Sequence, residues 1–252
     1  MIAARARGWR LAIHETLSST SDACRARAAG GEPGALAVLA RRQTQGRGTD
    51  GRTWQSPPGN LYLSVLLRPA EPARLAGEWS LLAAVALAET VALLLPDRQA
   101  LTLKWPNDLL LHGGKLAGIL TESAAAPGGT LDFVIIGFGL NLAVAPTLPD
   151  RRTACLADAV APPGPEDFAW SLLDQLDRWR LRRLERGFAA VREAWMARGP
   201  LPGAPIAVRQ GTATLHGSFA GLGADGSLLL STGTGVRKLA AGEVLAVPPG
   251  GG

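Results

Sequence analysis

The sequence predicts an α+β fold, in which a larger domain of strands and helices precedes a small all-β domain. Three observations support this prediction. Apolar, strand-like runs such as ALAVLA (35–40) are interspersed with an apolar segment that is long enough for a buried helix (79–95). Residues 166–198 repeat leucine and aromatic residues at helical spacing. Residues 206–247 instead carry short β-like runs separated by glycine turns.

The elements of the larger domain can be assigned in order. Strands are predicted at residues 9–17, 35–43, 60–68, 101–105 and 130–144. The stretch SSTSD (18–22) offers N-cap oxygens to a short helix, which is expected to end at Gly30 and Gly31. The apolar segment 79–95 is expected to form a buried helix that stops at Pro96.

A hairpin is predicted at DLLLHGGKLAGILTES (108–123). Its turn is expected at Gly113 and Gly114, since glycine tolerates the positive φ of a tight turn. The strand at 130–144 contains two glycines, which weaken a strand and often mark the close approach of a ligand. The hairpin and this strand are therefore the first candidates for a binding surface.

The C-terminal third divides into a helical part and a β part. Residues 166–198 are expected to form an amphipathic helix or helix pair with a solvated basic face, with Leu184 on its apolar stripe. The prolines and glycines of GPLPGAP predict a linker, and the β-like runs beyond it suit a small closed barrel. The predicted boundaries are 1–198 for the larger domain, 199–205 for the linker and 206–252 for the small domain.

Composition limits the classes of function. Of the 252 residues, 47% are hydrophobic and 19% charged, which is typical of a globular protein. Cys24 and Cys155 form neither a disulfide framework nor a metal motif, so we expect a reducing, cytoplasmic compartment. MIAARARGWR does not have the pattern of a secretory leader. Glu89 and Thr90 interrupt the long apolar segment, so we expect no membrane partner.

The net charge of +5 does not by itself predict a nucleic-acid partner. Only Lys104, Lys115 and Lys238 are lysines among 26 basic residues, which indicates a general preference for arginine. No helix-turn-helix pattern precedes the first strand, so we expect no nucleic acid among the partners. Because lysine is so rare here, the places that retain it are expected to need an ammonium group.

Three segments could carry chemistry. The loop RRQTQGRGTDGRTW (41–54) combines glycines, which allow close backbone approach, with Arg47 and Arg52 as forked donors for carboxylate or phosphate. A solvated turn of biased composition is the alternative interpretation. The other segments are KWPNDLLLHGGKLAGIL (104–120) and IGFGLN (136–141). Together they favour a substrate with a carboxylate and a phosphate.

Other common catalytic patterns are absent from the sequence. It contains no Walker A lysine motif, no dinucleotide glycine fingerprint and no serine-centred elbow. It also shows no paired catalytic carboxylates and no metal-ligand cluster. His14, His112 and His216 have no partner spacing, and we expect structural roles for them.

The motifs QTQGRGTDGRTW, KWPNDLLL, KLAGIL and IGFGLN, in this order, resemble those of biotin protein ligases. The resemblance covers residues 15–145. It implies a mixed-sheet biotin/lipoate ligase-like catalytic domain with helices, followed by a small SH3-like β-barrel. Similar enzymes use ATP to convert biotin to biotinyl-5′-adenylate and release pyrophosphate. They then transfer biotin to one lysine of a biotin carboxyl carrier protein, typically that of acetyl-CoA carboxylase.

The resemblance also implies site residues. Those for biotin are Ser19, Thr20, Ser21, Gln43, Gly46, Arg47, Gly48, Thr49, Lys115 and Gly118. Those for ATP, together with Mg²⁺, are Arg52, Trp54, Lys104, Asn107, Asp108 and Asn141. Lys115 and Arg47 are the expected catalytic residues, because cations fixed beside the carboxylate and phosphoryl groups stabilise the charge that develops there. Gly118 would leave room for the biotin ring, and the loop 43–54 would act as a lid that shields the adenylate from water.

Two positions depart from the family pattern. Ser21 stands where many relatives have asparagine, and Thr49 stands where many relatives have a third loop arginine. Lipoate protein ligase and a non-catalytic biotin-sensing regulator remain as alternatives. The first lacks KWPND, and regulators of this kind carry an N-terminal DNA-binding domain, for which we expect no room in this chain. A monomer and a homodimer are both compatible with the sequence.

Overall fold

A computed structural model describes residues 8–245, apart from the Gln99 side chain. The helices are α1 (Thr20–Ala29), α2 (Ala76–Ala92), α3 (Pro165–Arg186) and α4 (Phe188–Met196). The first seven strands are β1 (Arg10–Leu17), β2 (Leu36–Gln43), β3 (Leu61–Leu67), β4 (Leu101–Lys104), β5 (Asp108–Leu111), β6 (Gly114–Ala125) and β7 (Leu131–Leu140). The remaining strands are β8 (Pro205–Gln210), β9 (Ala213–Leu222), β10 (Leu228–Thr232), β11 (Gly235–Leu239) and β12 (Glu243–Leu245).

The first seven strands form one mixed sheet in the order β1-β2-β3-β7-β6-β5-β4. β1 and β2 are parallel, and every other neighbouring pair is antiparallel. The predicted mixed-sheet α+β architecture is therefore confirmed. β6, which contains the predicted site residue Gly118, and β7, which contains the two glycines noted within a strand, lie near the middle of this sheet.

Helix α2 forms the centre of the hydrophobic core. The segment Ala73–Ala92 is long and apolar enough to cross a membrane by length and composition alone, but 72% of it is buried inside the protein. Its alanines and leucines pack between the sheet and α3, as a core helix requires. On the other face of the sheet, α1 buries Cys24 and Ala28 against Leu66 of β3.

The helical region is a pair, as the spacing of its apolar residues allowed. Gly187, with a φ of 72°, separates α3 from α4. The predicted apolar stripe is wrong at Leu184, which is 83% exposed. It lies in the last turn of α3, just before the chain changes direction at Gly187, so this end of the helix is not covered by the core.

The hairpin between β5 and β6 turns one residue earlier than predicted. Positive φ angles occur at His112 (48°) and Gly113 (77°), while Gly114 is already the first residue of β6. The histidine therefore adopts the left-handed conformation that was assigned to a second glycine. Gly114 has a different role, because a Cβ there would lie 3.0 Å from the Thr153 carbonyl oxygen.

The last five strands form a second, antiparallel sheet in the order β11-β10-β9-β8-β12. The predicted closed barrel is not confirmed, because within residues 8–245 β11 and β12 each pair with a single neighbour and leave the sheet open. β12 has only three residues and four of the five residues of β11 are exposed, so neither strand provides a buried edge for closure. The predictions for residues 1–7 and 246–252 lie outside the described residues.

The second sheet packs against the turn after β4 and against helices α2 and α4. The Trp105 Nε1–H donates a hydrogen bond of 3.1 Å to the Gly226 carbonyl oxygen. Gly226 itself fits closely, because a Cβ there would lie 2.7 Å from Leu81 Cδ1 of α2. Pro205, the last residue of the predicted linker, is the first residue of β8. This packing brings β12 close to the KWPND turn, and residues of both line one cavity.

Candidate active site

The N-terminus of α1 opens on a polar cluster beside β2 and β3. Ser19 is the N-cap of α1, and the Thr20 N–H and hydroxyl both donate to Gln43 Oε1, at 2.8 and 3.1 Å. The Ser64 hydroxyl lies 2.7 Å from Thr20 Oγ1 and 3.0 Å from Ser21 Oγ. Four of the predicted biotin residues are thus brought together. Ser64, from the otherwise apolar strand β3, completes the cluster.

Residues 46–54, here called the lid hairpin, fold back on themselves. The Gly48 N–H donates to the Arg52 carbonyl oxygen at 2.7 Å, and the Trp54 N–H donates to that of Gly46 at 2.9 Å. Gly46 is required at this closure, since a Cβ there would lie 2.5 Å from the Trp54 carbonyl oxygen. The predicted Gly/Arg loop is therefore a tight hairpin whose closure depends on a glycine.

Arg47 of the lid hairpin is held by acidic side chains. Its two terminal nitrogens pair with the Glu122 carboxylate at 3.1 and 2.9 Å, and Nη2 also lies 2.9 Å from Asp22 Oδ1. Glu122 binds Arg25 as well. Among the described residues, Arg47 Nε is buried without a hydrogen-bond partner. An anion that uses this guanidinium must therefore compete with two carboxylates.

The Trp54 indole lies on a floor of two glycines. A Cβ on Gly118 of β6 would lie 2.9 Å from Trp54 Cζ3, and one on Gly139 of β7 would lie 2.4 Å from Trp54 Cε2. Lys115 Nζ is 5.5 Å from the centroid of the same ring, close enough for a cation–π contact. Gly118 was expected to leave room for the biotin ring, and in this structure the Trp54 indole occupies that space. The remaining cavity has a volume of about 40 Å³, room for only a few water molecules.

The KWPND turn and the hairpin that follows it form a buried ion cluster. Asp108 Oδ2 lies 2.9 Å from Lys104 Nζ, and Asp108 Oδ1 lies 2.7 Å from Lys115 Nζ. Burial alone would raise the pKa of Asp108, but the two ammonium groups outweigh it and the pKa is lowered. Burial lowers the pKa of Lys115, and the Asp108 carboxylate opposes that effect. Asp108 is therefore an anion that binds both lysines.

The two predicted asparagines are engaged with the backbone. Asn107 Nδ2 donates to the Ile119 carbonyl oxygen at 2.6 Å, which fastens the turn to β6. Asn141 Nδ2 donates to the Ala154 and Lys115 carbonyl oxygens, at 3.1 and 3.4 Å. Asn141 is 2% exposed, so in this structure its amide positions the strand that carries Lys115.

A carboxylate from the second sheet reaches the lid hairpin. Glu243 of β12 accepts hydrogen bonds from Arg52 at 2.8 Å and Arg151 at 3.4 Å, and it also pairs with Arg209. Burial alone would raise the pKa of Glu243, but the hydrogen bonds from Arg52 and Arg209 lower it to about 2. The second sheet thus supplies an ion-paired support for one end of the lid hairpin.

Two adjoining cavities divide the predicted site residues. The small cavity is lined by Ser19, Thr20, Ser21, Gln43, Arg47, Gly48, Thr49, Trp54, Asn107, Lys115 and Gly118. A cavity of about 720 Å³, between the KWPND turn and the second sheet, is lined by Thr49, Arg52, Lys104, Asn107, Asp108 and Lys115. Lys115 lines both, so its ammonium group lies at their junction. Of the predicted residues, Gly46 and Asn141 line neither of these two cavities in the described part of the chain.

Several residues of this site were not predicted from the sequence. A serine inside the apolar strand LYLSVLL was a usable signal for Ser64, which is fully buried. Gly139 was noticed only as a glycine within a strand, and its contact with the indole explains it. Glu122 and Glu243 gave no local signal, because each meets its arginine partner only in the folded chain.

Comparison with known proteins identifies the family. Residues 16–141 match the model of the biotin/lipoate A/B protein ligase family. A biotin–[acetyl-CoA-carboxylase] ligase from Paracoccus denitrificans is 39% identical over 225 residues, which cover 85% of this chain and 91% of that protein.

Solved structures give the same result. A biotin protein ligase from Aquifex aeolicus in complex with biotin and ATP superimposes with a TM-score of 0.77 at 23% identity, over 93% of this chain and 97% of that one. One from Leishmania major in complex with biotinyl-5-AMP does so with a TM-score of 0.65 at 29% identity, over 92% and 99%. The predicted family is confirmed: this chain belongs to the biotin/lipoate A/B protein ligase family.

Proposed function

We propose that this protein is an ATP-dependent biotin protein ligase, which activates biotin as biotinyl-5′-adenylate and transfers it to a lysine of a carrier protein. The observation that carries the proposal is the position of Lys115, at the junction of a small polar cavity and a larger, cation-lined one. Biotinyl-adenylate has two parts that match the two cavities: an uncharged ring system on one side of the carboxyl–phosphate bond and a nucleotide on the other. The Paracoccus relative and the Leishmania complex support the same chemistry.

The polar cluster at α1 suits the biotin end of this ligand. A ureido group offers two N–H donors and one carbonyl acceptor, and hydroxyls can both donate and accept. We assign the ring to the cluster around Thr20, Ser21 and Gln43, and the carboxylate to the side that faces Lys115. For biotin to enter, the Trp54 indole has to leave the glycine floor, since the cavity beside it is far smaller than the ligand. The lid hairpin is then expected to close over the adenylate.

The larger cavity suits ATP. Its volume of about 720 Å³ lies within the usual range for ligand sites, and Arg52, Lys104 and Lys115 give it positive charge. The attack of the biotin carboxylate on the α-phosphorus brings two anions together and forms the mixed anhydride, while pyrophosphate leaves. The ammonium of Lys115 can neutralise both reacting groups because it is a compact charge on a flexible stem.

Mg²⁺ is proposed as a companion of ATP. Between residues 8 and 245, no group of three or more histidine, cysteine, aspartate or glutamate side chains could hold a metal ion. Both oxygens of Asp108, the acidic residue of this cavity nearest Lys115, are taken by lysines. Residues 8–245 therefore offer no dedicated metal cage. Mg²⁺ fits as the ATP complex, held mainly by phosphate oxygens and water, as is usual for this ion.

Further features follow from the proposed reaction. The acceptor is expected to be a biotin carboxyl carrier protein, as the name of the Paracoccus relative suggests. We propose a cytoplasmic location, where ATP is available and the free thiols Cys24 and Cys155 stay reduced. We also propose residues 1–198 as the catalytic domain, 199–205 as a linker, and 206–252 as a domain related to SH3-like barrels, with a monomer or a homodimer as the assembly.

The first experiment tests adenylate formation. The protein is incubated with ATP and radiolabelled biotin or, in parallel, lipoate, and the adenylate is separated and counted. We expect biotinyl-adenylate and pyrophosphate, followed by transfer to an added biotin carboxyl carrier domain. Lipoyl-adenylate in place of biotinyl-adenylate would make the protein a lipoate ligase, and neither product would contradict the ligase function altogether.

A further inference from the structure

An enzyme that holds an acyl-adenylate has to keep its own amines from reacting with it. This concern rests on the proposed function. Neutral amines attack acyl-adenylates, whereas ammonium groups do not, because protonation removes the nucleophilic lone pair. Two of the three lysines, Lys104 and Lys115, line the cavities assigned to the adenylate. A guanidinium would be far less reactive, yet this arginine-rich chain retains lysine at both places.

Asp108 is placed to control both of these amines. Its side chain is 7% exposed, and each of its oxygens binds one lysine, at 2.9 Å for Lys104 and 2.7 Å for Lys115. Each pair is both an ion contact and a hydrogen bond to the charged form of lysine, and such contacts favour that form. The remaining lysine, Lys238, pairs with Asp225, but both side chains are more than half exposed.

The other surroundings of Lys115 act in both directions. Lys104 of β4 and Arg151, in the segment after β7, are cationic and oppose its protonation, and so does burial. The Trp54 ring from the lid hairpin favours the cation. Asp108 of β5 is the carboxylate that contacts the Lys115 ammonium group. Without its charge, burial and the neighbouring cations would favour the neutral amine.

We propose that Asp108 is a positioning residue that protects the enzyme from biotinylating itself, by keeping Lys115 and Lys104 as ammonium ions beside the adenylate. Without the carboxylate, the lysine ammonium group releases one proton to water, which leaves a lone pair on its nitrogen. That nitrogen forms a bond to the acyl carbon, the bond from this carbon to the phosphate oxygen breaks, and AMP leaves with the bonding electrons. The nitrogen gives up its extra proton to water, and the product is a biotin amide on the enzyme.

The test compares Asp108→Asn with the unaltered protein and with Asp108→Glu, which keeps the charge. Each protein receives preformed biotinyl-5′-adenylate, so that a loss of adenylate synthesis in a variant does not matter. A parallel set receives the N-hydroxysuccinimide ester of biotin, which acylates accessible neutral amines without needing a nucleotide site. Peptide mass spectrometry then measures biotin separately on Lys104, Lys115 and Lys238.

We expect Asp108→Asn to carry roughly tenfold more biotin on Lys115, because the neutral fraction of its amine rises tenfold for each unit by which the pKa of Lys115 falls. Asp108→Glu should remain close to the unaltered protein. The matched control is Asp225→Asn, which removes the partner of the exposed Lys238 and should leave the labelling of all three lysines within about twofold, since exposed ion pairs are weak.

A folded Asp108→Asn protein with unchanged labelling of Lys104 and Lys115 by the ester would overturn the proposal. Folding is checked by a cooperative thermal transition. Adenylate synthesis by the unaltered enzyme is measured separately, so a failure of the proposed ligase function is recognised independently. The ester could label Asp108→Asn more strongly than the unaltered protein while the unaltered protein makes no adenylate. That result would support control of the amines by Asp108 and contradict the proposed function.

A measurement on the unaltered protein covers the case in which the variant does not fold. With only three lysines, protein labelled with ¹⁵N at the lysine Nζ atoms should give three assignable signals. We expect the Lys115 and Lys104 nitrogens to have the chemical shifts of ammonium ions at neutral pH. A neutral-amine signal for either lysine under these conditions would overturn the proposal.

Discussion

Glu243→Gln should loosen the connection between the second sheet and the lid hairpin without changing the shape of the side chain. In the structure, the Glu243 carboxylate contacts Arg52, Arg151 and Arg209, and its side chain is only 15% exposed. Glutamine keeps the volume and one carbonyl acceptor but removes the charge. Three arginines would then repel one another around a neutral amide, and Arg52 would lose its ionic partner in β12.

The size of the expected stability loss follows from the shifted pKa of Glu243. The pKa of Glu243 is lowered from 4.5 to about 2. Full conversion of this difference gives about 3 kcal/mol, and solvent screening of a partly hydrated group reduces it to about 1–2 kcal/mol. Because the pKa in the folded protein is depressed, this stability is fully present above pH 4.5 and is lost as the pH falls towards 2. Glutamine should remove it at neutral pH and abolish that part of the acid dependence.

The assay is urea unfolding of both proteins as a function of pH. At neutral pH we expect the variant to be less stable by about 1–2 kcal/mol, and to melt a few degrees lower, at roughly 2–4 °C per kcal/mol for a chain of this size. The difference should shrink as the pH approaches the folded pKa. Proteolysis at residues 43–54 should also become faster, because the lid hairpin loses a support.

The control is Asp225→Asn. The pKa of Asp225 is also lowered to about 2, by hydrogen bonds from Lys238 and Ser227, but its side chain is 54% exposed. Exposed pairs contribute about 0–1 kcal/mol, so this variant should remain close to the unaltered protein. Equal losses in the two variants, or no loss in Glu243→Gln, would refute the argument that burial makes the Glu243 cluster stabilising.

Three further outcomes are expected at the site. Lys115→Ala should reduce adenylate formation by about a hundredfold or more. Lys115→Arg should restore little activity, because the planar guanidinium does not replace a compact ammonium charge. Near-normal adenylate synthesis by the alanine variant would show that Lys115 has no part in the reaction. Biotin with ATP should raise the melting temperature and slow cleavage within residues 43–54, and equal cleavage with and without these ligands would make the hairpin a passive turn. Gly139→Ala should destabilise the fold by about 1–3 kcal/mol, because the added Cβ clashes with Trp54. Gly77→Ala in α2 is the control and should not destabilise the fold, because no atom lies close to the position of its added Cβ. Equal effects of the two substitutions in urea unfolding would exclude the clash.

The parts of the site that could be predicted are those encoded by neighbouring residues. The turn at KWPND, the Gly/Arg loop and the serines at the start of α1 lie where the sequence predicts a turn, a loop and a helix cap, because turns, caps and glycines act within a few residues. The carboxylates that bind the loop arginines were not predicted. Glu122 meets Arg47 across 75 residues of sequence, and Glu243 meets Arg52 across 191, so neither pair leaves a local pattern.

The fold shows the same division. The strands of the first sheet followed from apolar runs, whose lengths and order are local properties, whereas their arrangement in one mixed sheet was implied only by the family resemblance. Closure of the second sheet depends on whether its outer strands find partners, which the β-like pattern of each strand does not reveal. Leu184 illustrates a related limit, because helical spacing identifies an apolar stripe but does not show where the covering surface ends.

Thr49 provides the most informative departure from the family. It lines both the small cavity and the 720 Å³ cavity, and its hydroxyl accepts a hydrogen bond of 3.0 Å from Arg52. The family resemblance implies an arginine at this position in many relatives, and threonine here would leave one cation fewer to face the anionic adenylate. The neighbouring Asp50, which is 3.6 Å from Arg52, adds a negative charge in the same turn.

Thr49→Arg should therefore slow release of the adenylate. A partly exposed charge of this kind contributes about 1 kcal/mol, which corresponds to a several-fold longer residence time. The measurements are dissociation of preloaded biotinyl-adenylate and biotin incorporation into an added lysine-rich bystander protein, which only released adenylate can label. Asp50→Asn is the matched control: it removes the negative charge beside the 720 Å³ cavity without adding a positive one, and should have a smaller effect in the same direction. Equal release from the unaltered enzyme and Thr49→Arg would mean that Arg47 and Arg52 already hold the phosphate fully, and that the missing arginine has no consequence for retention.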